Sequence, residues 1–258
     1  MEALGPITAD PARSALFFDV DGTLAPIVRR AEDAAVPKET SLRLAELSRR
    51  YALVACISGR AAADVRRLVG VGGIAYAGSH GAELLEPNAR SSHIAPEFKR
   101  LEPEVKAFVA GCDTPQLRAL RVRIEDKGPI MTFHWRGAPD EEAAHAHVKR
   151  IAERAEAAGL WIHWGRKVLE VRPPVQVDKG QAVRELLART PARAALYAGD
   201  DVTDLDGFAA LEELRAAGDL ESIVRVGVHS DEGPDAIVER ADLVVDGVGG
   251  VRKVLEEL

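Results

Sequence analysis

The sequence lacks the features that mark several large classes of protein. Cysteine is scarce, with only Cys56 and Cys112 among 258 residues. We expect two reduced thiols, and neither a disulfide framework nor a cysteine-ligated metal site. No stretch approaches the roughly 20 apolar residues that a membrane-spanning helix requires. Residues 1–14 lack the basic start and apolar run of a secretory signal, so we expect a cytoplasmic protein with no membrane partner.

Positive charge is scarce relative to negative charge. The chain has 34 Lys and Arg residues against 41 Asp and Glu residues, a formal net charge of -7. Nucleic acids are bound by clustered cations that neutralise phosphates, so this balance argues against a nucleic-acid partner. A small anionic substrate remains possible, because a few cations in one pocket can bind a single phosphate group.

The sequence does contain short apolar runs that alternate with helical patterns, which is typical of parallel strands covered by helices. The strand patterns cover residues 15–18, 52–57, 194–198 and 222–226. The helical patterns cover residues 38–50, 61–69, 180–189 and 204–217. Residues 1–92 and 174–258 are therefore predicted to form one α/β domain, a Rossmann-like, doubly wound parallel sheet.

Residues 93–173 follow a different pattern, which predicts an inserted α+β domain. A helix and two strands are followed by a second helix and two more strands. Apolar and polar residues alternate along these strands, so one face of the sheet should pack on the two helices and the other should be polar. The predicted apolar face carries Leu120, Val122, Ile124, Met131, Phe133, Trp135, Leu169 and Val171. A solvated face is the usual role of such polar residues, unless the first domain provides a ligand for them.

The first domain offers such a ligand site in the motif DVDGT. Asp19 and Asp21 directly follow an apolar strand, at the sheet edge where open α/β proteins bind their ligands. Gly22 permits a sharp turn, which would let both carboxylates converge on one ligand. Two solvated turn aspartates are the plainer interpretation, but the length and placement of the motif favour a functional one.

With three further segments in the same order, the chain resembles the haloacid dehalogenase-like phosphatases. Ser58 lies in ISGR after the second strand, Lys179 opens a helix in VDKGQA, and GDDVTD follows a third strand. The resemblance implies that Asp19 is the nucleophile and forms an aspartyl phosphate, and that Asp21 is the acid/base partner. Ser58 and Lys179 would bind the phosphate oxygens. Magnesium would be held by Asp19, Asp200 and the backbone carbonyl of Asp21, supported by Asp201 and Asp204.

More specifically, the chain resembles the trehalose-6-phosphate phosphatases, and the motifs of its cap-like insert are the discriminating part. The similarity lies in GSHGAE, EDKGPIMTFHWR, GRKVLEVRP and GDDVTDLDGF, and with DVDGTLAPI it extends over nearly the whole chain. It implies hydrolysis of trehalose 6-phosphate to trehalose and phosphate, with Glu125, Lys127 and Glu170 binding hydroxyls of the distal glucose. The supporting substrate contacts would be Gly22, Thr23, Arg60, His80, His134, Arg136 and Arg172.

Two alternative functions stay open at this point. Another sugar phosphate, of the sucrose-phosphate or mannosylglycerate-phosphate type, would use the same catalytic motifs. An inactive regulatory module is disfavoured, because such a module has no need of Asp21. Leu205 stands where many relatives have an acid, which casts doubt on one supporting contact. No glycosyltransferase domain precedes DVDGT, so we expect a stand-alone form. We also expect a monomer, with functional coupling to a trehalose-phosphate synthase left open.

Overall fold

The computed structural model describes residues 2–28, 33–165, 167–175, 177–230 and 233–258. The chain divides into two compact units. The first combines Met1–His93 with Val177–Leu258, and the second is Ile94–Gln176. The sequence analysis placed the corresponding insert at residues 93–173.

The strands are numbered in chain order. They are β1 (Ser14–Phe18), β2 (Leu53–Ile57), β3 (Ala75–Gly78), β4 (Glu83–Leu85), β5 (His93–Ile94), β6 (Arg123–Lys127), β7 (Ile130–His134), β8 (Trp161–Gly165), β9 (Val168–Arg172), β10 (Ala194–Gly199), β11 (Ser222–His229) and β12 (Leu243–Asp246). β1–β5 and β10–β12 form one sheet in the order β12-β11-β10-β1-β2-β3-β4-β5. The six strands from β12 to β3 are parallel, and β4 is antiparallel to β3.

The α-helices are numbered in the same way. They are α1 (Gly5–Thr8), α2 (Lys38–Leu47), α3 (Ala62–Val69), α4 (Pro96–Ala110), α5 (Pro115–Ala119), α6 (Glu141–Ala157), α7 (Lys179–Leu187), α8 (Asp204–Ala216), α9 (Asp235–Arg240) and α10 (Gly247–Glu257). Within the described parts of the chain, none of these helices has the length and apolar character needed to cross a membrane.

The large sheet is covered on both faces. Every residue of β1 is buried, and its side chains alternate between two hydrophobic clusters. Leu16 and Phe18 pack in the cluster that contains residues of α2, α3 and α10, whereas Ala15 and Phe17 pack in the cluster that contains residues of α7, α8 and α9. Burial on both faces explains why the strand is an uninterrupted apolar run. The predicted doubly wound α/β fold is confirmed.

The second unit contains a four-stranded antiparallel sheet in the order β6-β7-β9-β8. Residues of α4 and α6 pack against its apolar face around Phe133, Trp135 and Leu169. The predicted α+β insert is therefore confirmed, but one detail of the prediction was wrong. Leu120 lies at the end of the short helix α5, and Arg121 has a φ of 54°. This left-handed residue ends the turn, so β6 begins only at Arg123.

Candidate active site

The candidate catalytic residues lie at the carboxyl ends of neighbouring strands. Asp19 follows β1, Ser58 follows β2 and Asp200 follows β10. β1 lies between β2 and β10 in the sheet, so the three chain segments leave the same edge side by side. Lys179 begins α7, whose first turn is capped by Asp178 accepting a hydrogen bond from the Gln181 amide at 2.7 Å.

Lys179 joins two of the carboxylates. Its ammonium group donates to Oδ1 of Asp19 at 2.7 Å and to Oδ1 of Asp204 at 2.6 Å. All three side chains are almost fully buried, with 3%, 7% and 0% of Lys179, Asp19 and Asp204 exposed. A buried charge of this kind is stable only when it is paired and hydrogen bonded. The sequence predicted that these residues meet, and the structure brings them together.

Asp204 is held by more hydrogen bonds than any other carboxylate of the site. Besides Lys179, its Oδ1 accepts from the Tyr197 hydroxyl at 2.8 Å, and its Oδ2 accepts from the amides of Asp200 and Asp201 at 3.0 Å each. These contacts orient Lys179 and fix the loop that carries Asp200. The sequence analysis missed Tyr197, because a buried tyrosine in an apolar strand is usually core.

Tyr197 in turn belongs to the aromatic core of the first unit. Its ring lies 6.5 Å from that of Phe17 and 5.9 Å from that of Phe208. A Cβ atom on Gly207 would lie 2.4 Å from the Tyr197 ring. The phenol is therefore packed on several sides, which fixes the hydroxyl that reaches Asp204.

Asp200 is held by the residues of the first motif. Oδ1 of Asp200 accepts from the Thr23 hydroxyl at 3.0 Å. Gly22 has a φ of +97°, and a Cβ atom there would lie 2.0 Å from Oδ2 of Asp200. Only glycine satisfies both the conformation and the close approach. Gly22 and Thr23 were predicted to contact substrate, and the contacts present here are with Asp200.

The buried group formed by Asp19, Lys179, Asp200 and Asp204 carries more negative than positive charge. Burial raises the pKa of Asp19 well above its usual range, against the effect of Lys179. Burial and the neighbouring Asp204 raise the pKa of Asp200 to about 6. Burial lowers the pKa of Lys179, but the two carboxylates outweigh it and hold the pKa above its ordinary value. One ammonium group thus faces three carboxylates, and a hard cation would relieve the excess negative charge.

The donor atoms of this group fit a magnesium ion. Asp19, Asp200 and Asp204 each present a carboxylate oxygen within 4.8 Å of the others. Both oxygens of Asp204 are already engaged. Among the described residues, Oδ2 of Asp19 and Oδ2 of Asp200 accept no hydrogen bond. Oxygen donors of this kind are those that magnesium prefers. Asp201 lies outside the group, and its Oδ1 accepts from the Val202 amide at 2.7 Å.

Asp21 forms a bidentate ion pair with Arg60. The guanidinium Nε and Nη2 atoms donate to the two carboxylate oxygens, each at 2.7 Å. The hydrogen bonds to Asp21 raise the pKa of Arg60. The Arg60 amide also donates to the Ser58 hydroxyl at 3.2 Å. Arg60 was predicted to bind substrate, and here it positions the second aspartate of the motif.

Glu83 is a positioning residue that the sequence analysis did not single out. Its buried carboxylate accepts from the Ser79 hydroxyl at 3.0 Å and from the Ala62 amide, at the start of α3, at 3.0 Å. Ser79 and His80 have φ values of 52° and 58°, and the His80 amide donates to the Ser58 carbonyl at 3.0 Å. Glu83 therefore holds the loop of Ser58 in place. A charged residue beside the apolar pair Leu84 and Leu85 was the available signal.

The residues of the inserted sheet that were predicted to bind sugar hydroxyls lie on one face of it, as the register shows. Thr132 lies opposite both Glu125 and Glu170, and His134 lies opposite Arg123. The Lys127 ammonium lies 3.5 Å from Oε1 of Glu170. Nε2 of His134 lies 2.6 Å from Oε2 of Glu125.

The environment of His134 affects its proton affinity. Burial lowers its pKa, and Glu125 only partly offsets this. The two predicted arginines lie at or beyond the ends of strands. Arg172 ends β9 on the same face, opposite Trp161. Arg136 lies beyond the end of β7 and is exposed.

Comparison with known proteins places the chain in a family. The family model described as Trehalose-phosphatase matches residues 17–239. The chain belongs to the trehalose-phosphatase family. The matched region includes all the candidate site residues of both units, and the resemblance noted from the sequence motifs is confirmed.

Curated members of the trehalose-phosphatase family are similar over most of this chain. The trehalose-phosphate phosphatase of Mycobacterium avium is 36% identical over 232 residues, 86% of this chain and 56% of the relative. An uncharacterized glycosyl hydrolase of Mycobacterium tuberculosis is 36% identical over 228 residues, 85% of this chain but only 16% of the relative. The chain thus spans about half of the length of the first relative and about one sixth of the length of the second.

The fold also matches solved structures. The C-terminal domain of C. albicans trehalose-6-phosphate phosphatase has a TM-score of 0.71 and 22% identity, over 99% of this chain and 94% of that one. At this level of identity the likeness shows the fold. Leu205, the residue that cast doubt on one supporting contact, is half-buried and packs against the hydrophobic cluster of α7 and α8.

Proposed function

We propose that this protein is a magnesium-dependent phosphatase that hydrolyses trehalose 6-phosphate to trehalose and inorganic phosphate. The observation that carries the proposal is the buried group of Asp19, Lys179 and Asp204 beside Asp200, in a chain of the trehalose-phosphatase family. A buried carboxylate beside a paired ammonium group is suited to attack an anionic phosphate without opposing its charge.

In the first half of the reaction Asp19 acts as the nucleophile. One of its carboxylate oxygens forms a bond to phosphorus as the bond from phosphorus to the sugar oxygen breaks. The leaving sugar oxygen takes a proton from Asp21. Lys179 and the Ser58 hydroxyl bind the phosphate oxygens, and Lys179 stays aligned because Asp204 holds it. A sugar alkoxide is a poor leaving group, so this proton transfer is needed.

In the second half a water molecule attacks phosphorus and the bond to Asp19 breaks. Asp21 takes the proton from the water and returns to its starting state. Arg60 binds both oxygens of Asp21, which orients the carboxylate between the two transfers. When bound, magnesium supplies charge neutralisation to the phosphate oxygens. Asp19 and Asp200 would hold it, with the Asp21 carbonyl, while Asp201 and Asp204 support the loop.

The polar face of the inserted sheet is proposed to select the sugar. Glu125, Lys127 and Glu170 would bind hydroxyls of the ring without phosphate, with support from His134, Arg136 and Arg172. Two buried polar atoms on this face, Oγ1 of Thr132 and Nε of Arg172, lack a hydrogen-bond partner among the described residues. Buried polar atoms without partners are costly, so a hydroxylated ligand would complete this face.

A panel of sugar phosphates tests the proposal. Phosphate release would be measured on trehalose 6-phosphate, sucrose 6-phosphate, mannosylglycerate phosphate and an aryl phosphate, with magnesium and then with chelator. We expect the highest kcat/KM on trehalose 6-phosphate, and a loss of activity of at least about 100-fold when the metal is chelated. Preference for another sugar phosphate would overturn the substrate, and no turnover on any of them would favour a regulatory module.

The remaining properties follow from the sequence analysis and are proposed with the function. We propose a monomer that acts in the cytoplasm on a small sugar phosphate, with functional coupling to a trehalose-phosphate synthase. Sedimentation at several protein concentrations tests the monomer. Co-purification with a synthase, compared with the protein alone, tests the coupling.

A further inference from the structure

A cavity of about 370 Å³ lies in the inserted unit, at the start of β8. It is lined by Trp161, Ile162 and Arg172 of the sheet, by Glu156 of α6, and by Gly159 and Leu160 from the turn between α6 and β8. All of these residues belong to the second unit. Its volume is within the range of small-molecule sites, which hold roughly 300 to 1,000 Å³.

Trp161 leaves a large apolar surface uncovered. Its side chain is 42% exposed, and it makes no ring contact with any described residue. Trp164 lies on the same strand and is 40% exposed, but it is already packed. Its ring meets those of Trp135 at 6.0 Å and His145 at 5.7 Å, both edge to face. Of these two similarly exposed indoles, Trp161 is the one that lines the cavity and has no ring partner among the described residues.

Arg172 adds a hydrogen-bond donor that has no acceptor within the described chain. It lies directly opposite Trp161 in the register of β8 and β9, and its Nε atom is buried without a hydrogen-bond partner among the described residues. Glu170 lies two positions earlier on β9, so its side chain shares this face of the sheet. Arg172, one of the residues proposed to support sugar binding, therefore lines the cavity and shares a face of the sheet with Glu170.

The chemistry of the lining fits a sugar ring. One face of a pyranose presents carbon-bound hydrogens, which pack on an indole ring, while its hydroxyls both donate and accept hydrogen bonds. Arg172 can donate to such hydroxyls, and Glu156 can accept from them. A flat apolar ring alone would leave both charged groups without partners, and an inorganic anion would leave the indole uncovered.

We propose that Trp161 and Arg172 form a subsite that holds the sugar ring without phosphate and so determines substrate preference. The inference rests on the proposed function and adds a residue, Trp161, to the sugar-binding set. Removing the indole removes the apolar surface on which the ring would pack, and we expect about a tenfold loss in kcat/KM on the disaccharide substrate.

The test compares W161A and W161F with the matched control W164F. For each we would measure the ratio of kcat/KM on trehalose 6-phosphate to kcat/KM on an aryl phosphate. We expect this ratio to fall about tenfold in W161A, to fall less in W161F, which keeps a stacking ring, and to stay as in wild type in W164F. An unchanged ratio in W161A would overturn the subsite.

Tryptophan fluorescence provides a second measurement that does not depend on turnover. The chain has three tryptophans, and trehalose alone serves as the probe. We expect trehalose to change the emission of wild type and W164F but not of W161F, and a response retained in W161F would overturn the inference. If wild type fails to hydrolyse trehalose 6-phosphate, the proposed function is wrong. If wild type hydrolyses it and W161A does so equally well, only the subsite is wrong.

Discussion

The two units hold their charged residues in different ways. In the first unit, Lys179, Asp19 and Asp204 are nearly inaccessible and joined by hydrogen bonds of 2.6 to 2.7 Å. On the inserted sheet, the Lys127 and Glu170 side chains are 19% and 11% exposed, and their closest charged atoms lie 3.5 Å apart. The first arrangement is preorganised for charge that develops in a reaction, whereas the second leaves hydrogen-bonding capacity for a ligand.

The largest effect is expected from removing the carboxylate of Asp19, the proposed nucleophile. We expect Asp19→Asn to lower kcat by about 10⁴-fold or more and to abolish the phosphoenzyme, because a neutral amide cannot form the acyl phosphate. Asp126→Asn, an exposed carboxyl paired with Lys106, is the matched control and should keep wild-type turnover. Single-turnover assays with trapping of the phosphoenzyme would measure both. Wild-type turnover in Asp19→Asn would exclude the nucleophile assignment.

Metal removal tests the preorganised site as a whole. Chelation should lower activity by at least about 100-fold, because the carboxylates of Asp19 and Asp200 then repel the substrate phosphate. Added magnesium should restore activity, and excess calcium should inhibit, since its larger and more variable shell misplaces the nucleophile. Turnover would be followed during titration with each ion after chelation. Full activity in metal-free protein would contradict this prediction.

Alanine substitutions at two glycines with positive φ distinguish the effect of backbone strain from the effect of crowding at the site. Gly22→Ala would place a Cβ atom 2.0 Å from Asp200, whereas Gly70→Ala meets no atom within 4 Å at a φ of +73°. Both should lose about 1 kcal/mol of unfolding free energy from the left-handed conformation. Only Gly22→Ala should also lose more than about tenfold in kcat, through displacement of Asp200. Denaturant unfolding and steady-state kinetics would be compared. Equal kinetic effects would refute a special role for Gly22.

The smallest expected effect concerns the inserted sheet. Glu170→Ala and Lys127→Ala should each lower kcat/KM on trehalose 6-phosphate by roughly tenfold, through lost contacts with sugar hydroxyls. The loss should appear in kcat as well as KM, because remote binding energy also aligns the phosphate. Kinetics on an aryl phosphate, which has no second ring, provide the reference. Equal losses on both substrates would mean that these residues act in folding, and the trehalose assignment would lose its main physical support.

The sequence allowed the fold and the principal catalytic group to be predicted because both depend on local patterns. Buried parallel strands are apolar runs, and the residues that follow them meet at one sheet edge. The partners of those residues were not predictable in the same way. The role of Tyr197 and Glu83 depends on packing between segments distant in the chain, and nothing near Arg60 in the sequence indicates its bond to Asp21. Helix α5 was missed because its five residues show too little periodicity.

The aromatic packing of Tyr197 has a consequence for engineering this protein. Phe17 and Phe208 fix the ring, the hydroxyl fixes Asp204, and Asp204 fixes the ammonium group that pairs with Asp19. A stabilising redesign of the core would normally treat such buried rings as interchangeable apolar volume. Here a change of ring position by a fraction of an ångström would be transmitted to Lys179. Libraries that aim for higher Tm should therefore hold these two phenylalanines constant and vary the opposite face of the sheet.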